Sequence, residues 1–150
     1  MQKYRSNVAA IITDSEGLIL IGERSDVSGG WQFPQGGLIK GETPFEGLFR
    51  EIEEEVSIKP ATYQILESRG PYRYLFSKGK VKEGYHGQEQ HYFLCLFHGD
   101  KSLVLNAPES DEFRAVRWIQ PKDYRLEWLA PMKHEVYRQV FRDFFAIDLK

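Results

Sequence analysis

Glutamates gather in the stretch GGLIKGETPFEGLFREIEEEVSI, Gly36 to Ile58, at Glu42, Glu46, Glu51, Glu53, Glu54 and Glu55. Like charges one helical turn apart repel, so a solvated helix gains nothing from Glu51, Glu54 and Glu55 together. Something positive should sit against them. At roughly 100° per residue Glu54 and Glu55 flank Glu51 on a helical wheel, while Glu53 points to the other side. Converging carboxylate oxygens are what hard divalent cations such as magnesium select, and a bound cation removes the repulsion. Such ions shield anionic groups, polarise phosphoryl oxygens and acidify water.

The helix that must present these groups announces its own start. Thr43-Pro44-Phe45-Glu46 is a capping box with proline at the first helical position, so the helix begins at Pro44. Phe45, Leu48, Phe49 and Ile52 form the arc expected to face the core, and Gly47 is a local weakness costing about 1 kcal/mol relative to alanine. Upstream, NVAAII (residues 7–12) and LILIGER read as a hairpin around Asp14 to Gly17, followed by the glycine-rich loop SDVSGGWQFPQGG. Downstream, ATYQILES and PYRYLF read as two strands separated by Gly70 and Pro71, and SKGKVKEGYHGQ as a polar connection. EQHYFLCLF is apolar on both faces and should be a central strand. FRAVRWI is a further strand, and Trp128, Met132, Val136, Val140 and Phe144 recur every four residues as an amphipathic helix.

A length of 150 residues suits a single domain, 1–150, and 41% hydrophobic with 28% charged residues is an ordinary soluble composition. The formal net charge of −2 argues against a protein that holds DNA or other long nucleic acid by bulk electrostatics. Cys95 is the single cysteine and lies in an apolar run, which reads as a core residue in a reducing, cytoplasmic setting. The N-terminus lacks a signal-peptide pattern, and no stretch is apolar enough to span a membrane. His86, His91, His98 and His134 show no zinc-site spacing.

Gly36, Glu42, Arg50, Glu51, Ile52, Glu54, Glu55 and Ile58 match the signature of the Nudix hydrolases, and the segment resembles a Nudix box. One position departs: Ser57 stands where the family has glycine, which would form a left-handed helix cap cheaply. The resemblance implies an α/β (α+β) fold, a mixed sheet between helices with the box as loop-helix-loop. It also implies a substrate built on a nucleoside diphosphate linked to another moiety.

WQFPQGG, GQEQHYFL, DEFRAVRWI and MKHEVYRQVFRDF extend the similarity almost end to end. They resemble the branch that contains bacterial and plant asymmetrical diadenosine tetraphosphate hydrolases and bacterial RNA pyrophosphohydrolases. That resemblance implies more than one magnesium or manganese ion held by Gly36, Glu51, Glu54, Glu55 and Glu112, with the glutamates as the catalytic set. Glu42 and Arg50 are expected to pair and, with Gly37, to brace the box. Arg5, Arg24, Gln35, Gln88, Gln90, Tyr74, Met132 and Lys133 fall at positions implied to contact substrate. The leading expectation is hydrolysis of diadenosine tetraphosphate to ATP and AMP, because His91 stands where RNA-acting members tend to carry lysine and the chain is mildly acidic. Removal of pyrophosphate from triphosphate RNA is the alternative, and a module that binds nucleotide without cleaving it is the third.

Overall fold

The computed structural model describes residues 1–150. Its centre is β1 (Tyr4–Thr13), which lies parallel to β6 (Gly87–Phe97) along its whole length, from Tyr4 opposite Gly87 to Thr13 opposite Leu96. Outside β6 runs β5 (Tyr63–Leu75), antiparallel. On the other flank β1 pairs antiparallel with β4 (Gln35–Gly37) and, at Thr13 and Ile19, with β2 (Ile19–Arg24). β2 in turn pairs with the two-residue β3 (Trp31–Gln32) and with β7 (Phe113–Ile119). One parallel pair among antiparallel ones makes the sheet mixed.

Alternation along β1 decides what covers each face. Val8, Ala10 and Ile12 pack with Leu48, Ile52 and Val56 of α1 (Pro44–Val56), together with Phe93, Cys95, Phe97 and Phe113. Ala9 and Ile11 point to the other side, against Val136, Tyr137, Val140 and Phe141 of α3 (His134–Phe145). There Phe33 lies at the centre of an aromatic stack with Tyr124, Tyr137 and Phe141, at centroid distances of 5.4 to 6.3 Å. Full burial of each such aliphatic or aromatic side chain contributes about 1.5–3 kcal/mol. A short α2 (Lys101–Leu105) follows β6, and Lys101 ties it to the β1–β2 turn through a 2.6 Å ion pair with buried Asp14. No helix is long and apolar enough to cross a membrane.

The mixed sheet between helices, the start of α1 at Pro44 and the central position of β6 follow the sequence reading, and four details do not. The last helix begins at His134; Trp128 and Met132 occupy single 3-10 turns, because Pro131 lacks an N–H and cannot continue a helix through that point. β5 is one strand through Gly70 and Pro71, its register with β6 shifting between Ile65 and Glu67 and again between Arg69 and Tyr72. Phe45 is 51% exposed, with its ring centroid 5.5 Å from that of Phe93. Gly47 is buried, and a Cβ there would strike the Leu38 side chain, so its cost as a helix residue is offset by close approach of the box loop.

The helix end keeps its geometry despite the missing glycine. Ser57 takes the left-handed cap at φ 58°, ψ 33°, and its N–H donates to the Glu53 carbonyl at 3.0 Å. A Cβ in that conformation costs about 1 kcal/mol. Ser57→Gly should therefore stabilise the protein by about 1 kcal/mol, read as a rise in Tm of about 2–4 °C. An unchanged or lower Tm would show that the Ser57 backbone bears no such strain.

Candidate active site

The box loop is held to its helix by one guanidinium. Arg50 Nε and Nη2 donate to the two Glu42 oxygens at 2.7 and 2.9 Å, and Nη2 also reaches the Gly37 carbonyl at 3.0 Å. Its Nη1 donates to Glu51 at 2.6 Å and to Glu54 at 3.3 Å. Arg50 thereby spans the loop, β4 and the helix with its planar fork of donors. The ion pair and the Ile39 N–H hold the Glu42 carboxyl down at about 2. Two adjacent glycines let side chains lie flat on β4: a Cβ at Gly36 would fall on the Glu51 carboxylate, and one at Gly37 on the Arg5 guanidinium.

Behind this brace is a cavity of about 520 Å³ without a single apolar lining residue. Its walls are Glu51, Glu54 and Glu55 from α1, and Glu109, Ser110, Asp111 and Glu112 from the loop before β7. Glu112 is brought in by the sheet, since its carbonyl accepts from the Ser25 N–H at 2.8 Å at the end of β2. Glu55 is 7% exposed and neither of its side-chain oxygens has a hydrogen-bond partner. Burial, with the Glu51 carboxylate beside it, pushes the Glu55 carboxyl well above the usual range, and burial raises Glu112 as well. Glu109 and Asp111 were missed in the sequence, where only the alternating acids of PESDEF hinted at them.

No three of these acids are spaced as a ready-made ion cage: Glu51 is turned onto Arg50 and Glu54 is exposed. The donor set nonetheless fits a hard divalent cation. All its side-chain ligand atoms are oxygens, and the unpartnered Glu55 carboxylate is a buried acceptor that only a positive charge can satisfy well.

The remaining predicted residues divide into two groups. Asn7, Gln35 and Gln90 meet where β1, β4 and β6 adjoin: Asn7 Nδ2 donates to Gln35 at 2.8 Å and Gln90 Nε2 to Asn7 at 3.0 Å. Gln90 is thus engaged in a buried network, whereas the neighbouring Gln88 has a buried oxygen with no partner. Asn7 was not singled out in the sequence, because the parallel register that sets it opposite Gln90 spans 83 positions.

A second pocket, of about 270 Å³, is lined by Arg24, Gln32, Trp128 and Lys133 among others. Lys133 donates to Gln32 at 3.3 Å, and burial, with Arg24 nearby, lowers its ammonium to about 8. Arg24 makes a two-point contact with exposed Asp26 at 2.9 and 2.7 Å. Gln32 keeps a buried, unpartnered amide nitrogen. Met132 lies beside the pocket with its sulfur 3.6 Å from the Ser77 hydroxyl. Tyr74 is different: its ring is 8% exposed and sits in the α3-side core against Phe76. A face that packs on core residues is not open for stacking on a base.

Glu55 titrates in a way that gives the cavity a stability signature. An acid whose folded pKa lies above its unfolded value costs nothing below the unfolded pKa of about 4.5, and an increasing amount as pH rises toward the folded one. In a chelator, Glu55→Gln should raise Tm, by more at about pH 8 than at about pH 5. A wild-type Tm equal to or above that of the variant at both values would refute the unpartnered carboxylate.

The NUDIX domain model matches residues 3–144. An RNA pyrophosphohydrolase of Helicobacter pylori (strain P12) is 39% identical over 148 residues, covering 95% of this chain and 94% of that protein. Another, of Erythrobacter litoralis (strain HTCC2594), is 36% identical, covering 97% of this chain and 93% of that protein. Among solved structures, a C. elegans Ap4A hydrolase binary complex superposes with a TM-score of 0.65 at 18% identity, over 93% of this chain and 98% of that one. The E. coli dihydroneopterin triphosphate pyrophosphohydrolase gives 0.67 at 19%, over 97% and 99%. The two structures share the fold, and the two sequences align almost end to end. With the box, its brace and the sheet all in place, the chain belongs to the Nudix family.

Proposed function

We propose that this chain is a divalent-metal-dependent RNA 5′ pyrophosphohydrolase, releasing pyrophosphate from triphosphate-ended transcripts. The observation that carries the reading is the near full-length similarity, at 36–39% identity, to proteins named RNA pyrophosphohydrolase. The charge layout agrees with it. The net charge of −2 averages over an acidic cavity and a separate basic pocket, so the mild acidity of the whole chain says little about the pocket at Arg24 and Lys133.

Glu51, Glu54, Glu55 and Glu112, with the Gly36 main chain beside them, would hold the ions. Bound there, divalent cations neutralise polyphosphate charge and supply Lewis acidity. The chain's own groups do the rest. Arg50 fixes the Glu51 carboxylate through its 2.6 Å contact, and the Glu42 pairing keeps the guanidinium from swinging away. Arg24 and Lys133 offer two cationic groups for phosphate oxygens, and the Gln32 carbonyl oxygen accepts from Lys133 in the same pocket. A substrate phosphate at Arg24 competes with Asp26, an exposed partner that water can solvate once released. Lys133 is the more responsive cation, because a phosphate restores the charge that burial disfavours.

Asymmetrical hydrolysis of diadenosine tetraphosphate is the second reading, favoured by His91 in place of lysine after GQEQ. A side-by-side assay decides between them. With magnesium, triphosphate RNA should yield pyrophosphate and monophosphate RNA at a kcat/KM at least about tenfold above that for the dinucleotide, a difference of about 1.4 kcal/mol in the barrier. The reverse ranking favours the second reading. Glu51→Gln should cost about 100-fold or more on either substrate, and full turnover by that variant would overturn the metal assignment.

A further inference from the structure

The connection from β5 to β6, Ser77 to His86, carries Lys78, Lys80 and Lys82, all exposed. It is a built loop. Phe76 N–H donates to the His86 carbonyl at 2.9 Å and closes its base, and Lys80 N–H donates to Ser77 at 3.0 Å. Lys82 and Tyr85 exchange backbone hydrogen bonds of 2.9 and 2.8 Å. His86 is tied to the N-terminal segment, donating from its N–H to the Lys3 carbonyl at 2.7 Å and accepting the Lys3 N–H on Nδ1 at 3.0 Å.

The three ammonium groups are left without carboxylate partners, since the lysines in ion pairs are Lys59 and Lys101. Glu83 is the one acid within the loop. Lys82 stands 5.1 Å over the Phe76 ring, which holds its charge near the loop base. Like charges fixed on a hydrogen-bonded loop raise the local positive potential and attract an anion that can meet several of them at once.

Its location narrows the kind of anion. The Ser77 hydroxyl contacts the Met132 sulfur at 3.6 Å, so the loop base adjoins the Met132–Lys133 segment of the basic pocket. Lys82 is near enough to Lys133 for its charge to disfavour that ammonium. Lysine charge therefore continues from the pocket onto the loop, and none of the loop's residues lines the acidic cavity.

We propose that the Ser77–His86 loop is a track for the phosphodiester backbone of single-stranded RNA leading away from the 5′ polyphosphate, with Lys78, Lys80 and Lys82 as its phosphate contacts. The proposal extends the RNA reading above and gives it a length requirement. A transcript has phosphodiesters beyond its first nucleotide to meet the loop, and a dinucleoside polyphosphate has none. The contacts are to phosphate, so the track does not discriminate sequence.

The test uses the full chain and a labelled 5′-hydroxyl oligoribonucleotide, which lacks the hydrolysable group. Binding is followed by fluorescence anisotropy across a salt series for wild type and the triple variant Lys78→Gln, Lys80→Gln, Lys82→Gln. Wild-type affinity should fall steeply with salt. The variant should bind about tenfold more weakly with a log–log salt slope shallower by about 2, as three single-strand phosphate contacts imply. Its Tm and its turnover of a triphosphate-ended dinucleotide should match wild type. Equal affinity and slope in the two proteins, or no binding by wild type, would overturn the track. Because this binding is read without hydrolysis, failure of the track with intact pyrophosphate release is distinguishable from failure of the RNA reading itself.

Discussion

Everything at the site hangs on how Arg50 divides its hydrogen bonds. One guanidinium faces the Glu42 carboxylate, the Gly37 carbonyl, Glu51 and Glu54. It fixes a loop, a strand and a helix relative to one another, because its donors lie in one plane and cannot be satisfied by partners that drift independently. Lysine carries the same charge without that geometry. The brace also resolves part of the electrostatic problem posed by the helix, since Glu51 and Glu54 are given a positive neighbour and Glu55 is left as the carboxylate with none.

Glu55 is where the fold gives up stability. Its side chain packs in the wall between the acidic cavity and an adjoining pocket that reaches Val104, Phe113 and Val116, which removes water without replacing its hydrogen bonds. A protein selected for stability alone would place an apolar group there. Cohesion elsewhere offsets the cost: the Phe33 aromatic stack, the Asp14–Lys101 clamp and the full-length β1–β6 ladder.

How much of this could be read beforehand depended on the range of the interaction. The capping box, the start at Pro44 and the Arg50–Glu42 spacing are local, and short-range stereochemistry dictates them. The start of α3 was misread because apolar spacing of four continues through Trp128 and Met132 even though Pro131 interrupts the helix. β5 looked like two strands because Gly70 and Pro71 signal a break, but a register shift against β6 absorbs them. Asn7 and Gln32 have their partners far along the chain, and nothing in their neighbourhood in sequence marks them, whereas Glu109 and Asp111 are hinted at only by the alternating acids of PESDEF. Tyr74 shows the converse: its alternation with Tyr72 and Phe76 was a core signal, and all three rings are buried.

The parallel ladder between β1 and β6 bears on how the protein acquires its function. Arg5 lies opposite Gln88 and Asn7 opposite Gln90, so this part of the sheet joins residues 83 positions apart. Parallel pairing of that kind is paid for in loop closure before its contacts form, and it belongs among the slow steps of folding. The glutamate helix is encoded locally and can form early, but the sheet it packs on is complete only when the first strand finds the sixth. During synthesis the chain must therefore extend well past its signature motif before any catalytic competence exists.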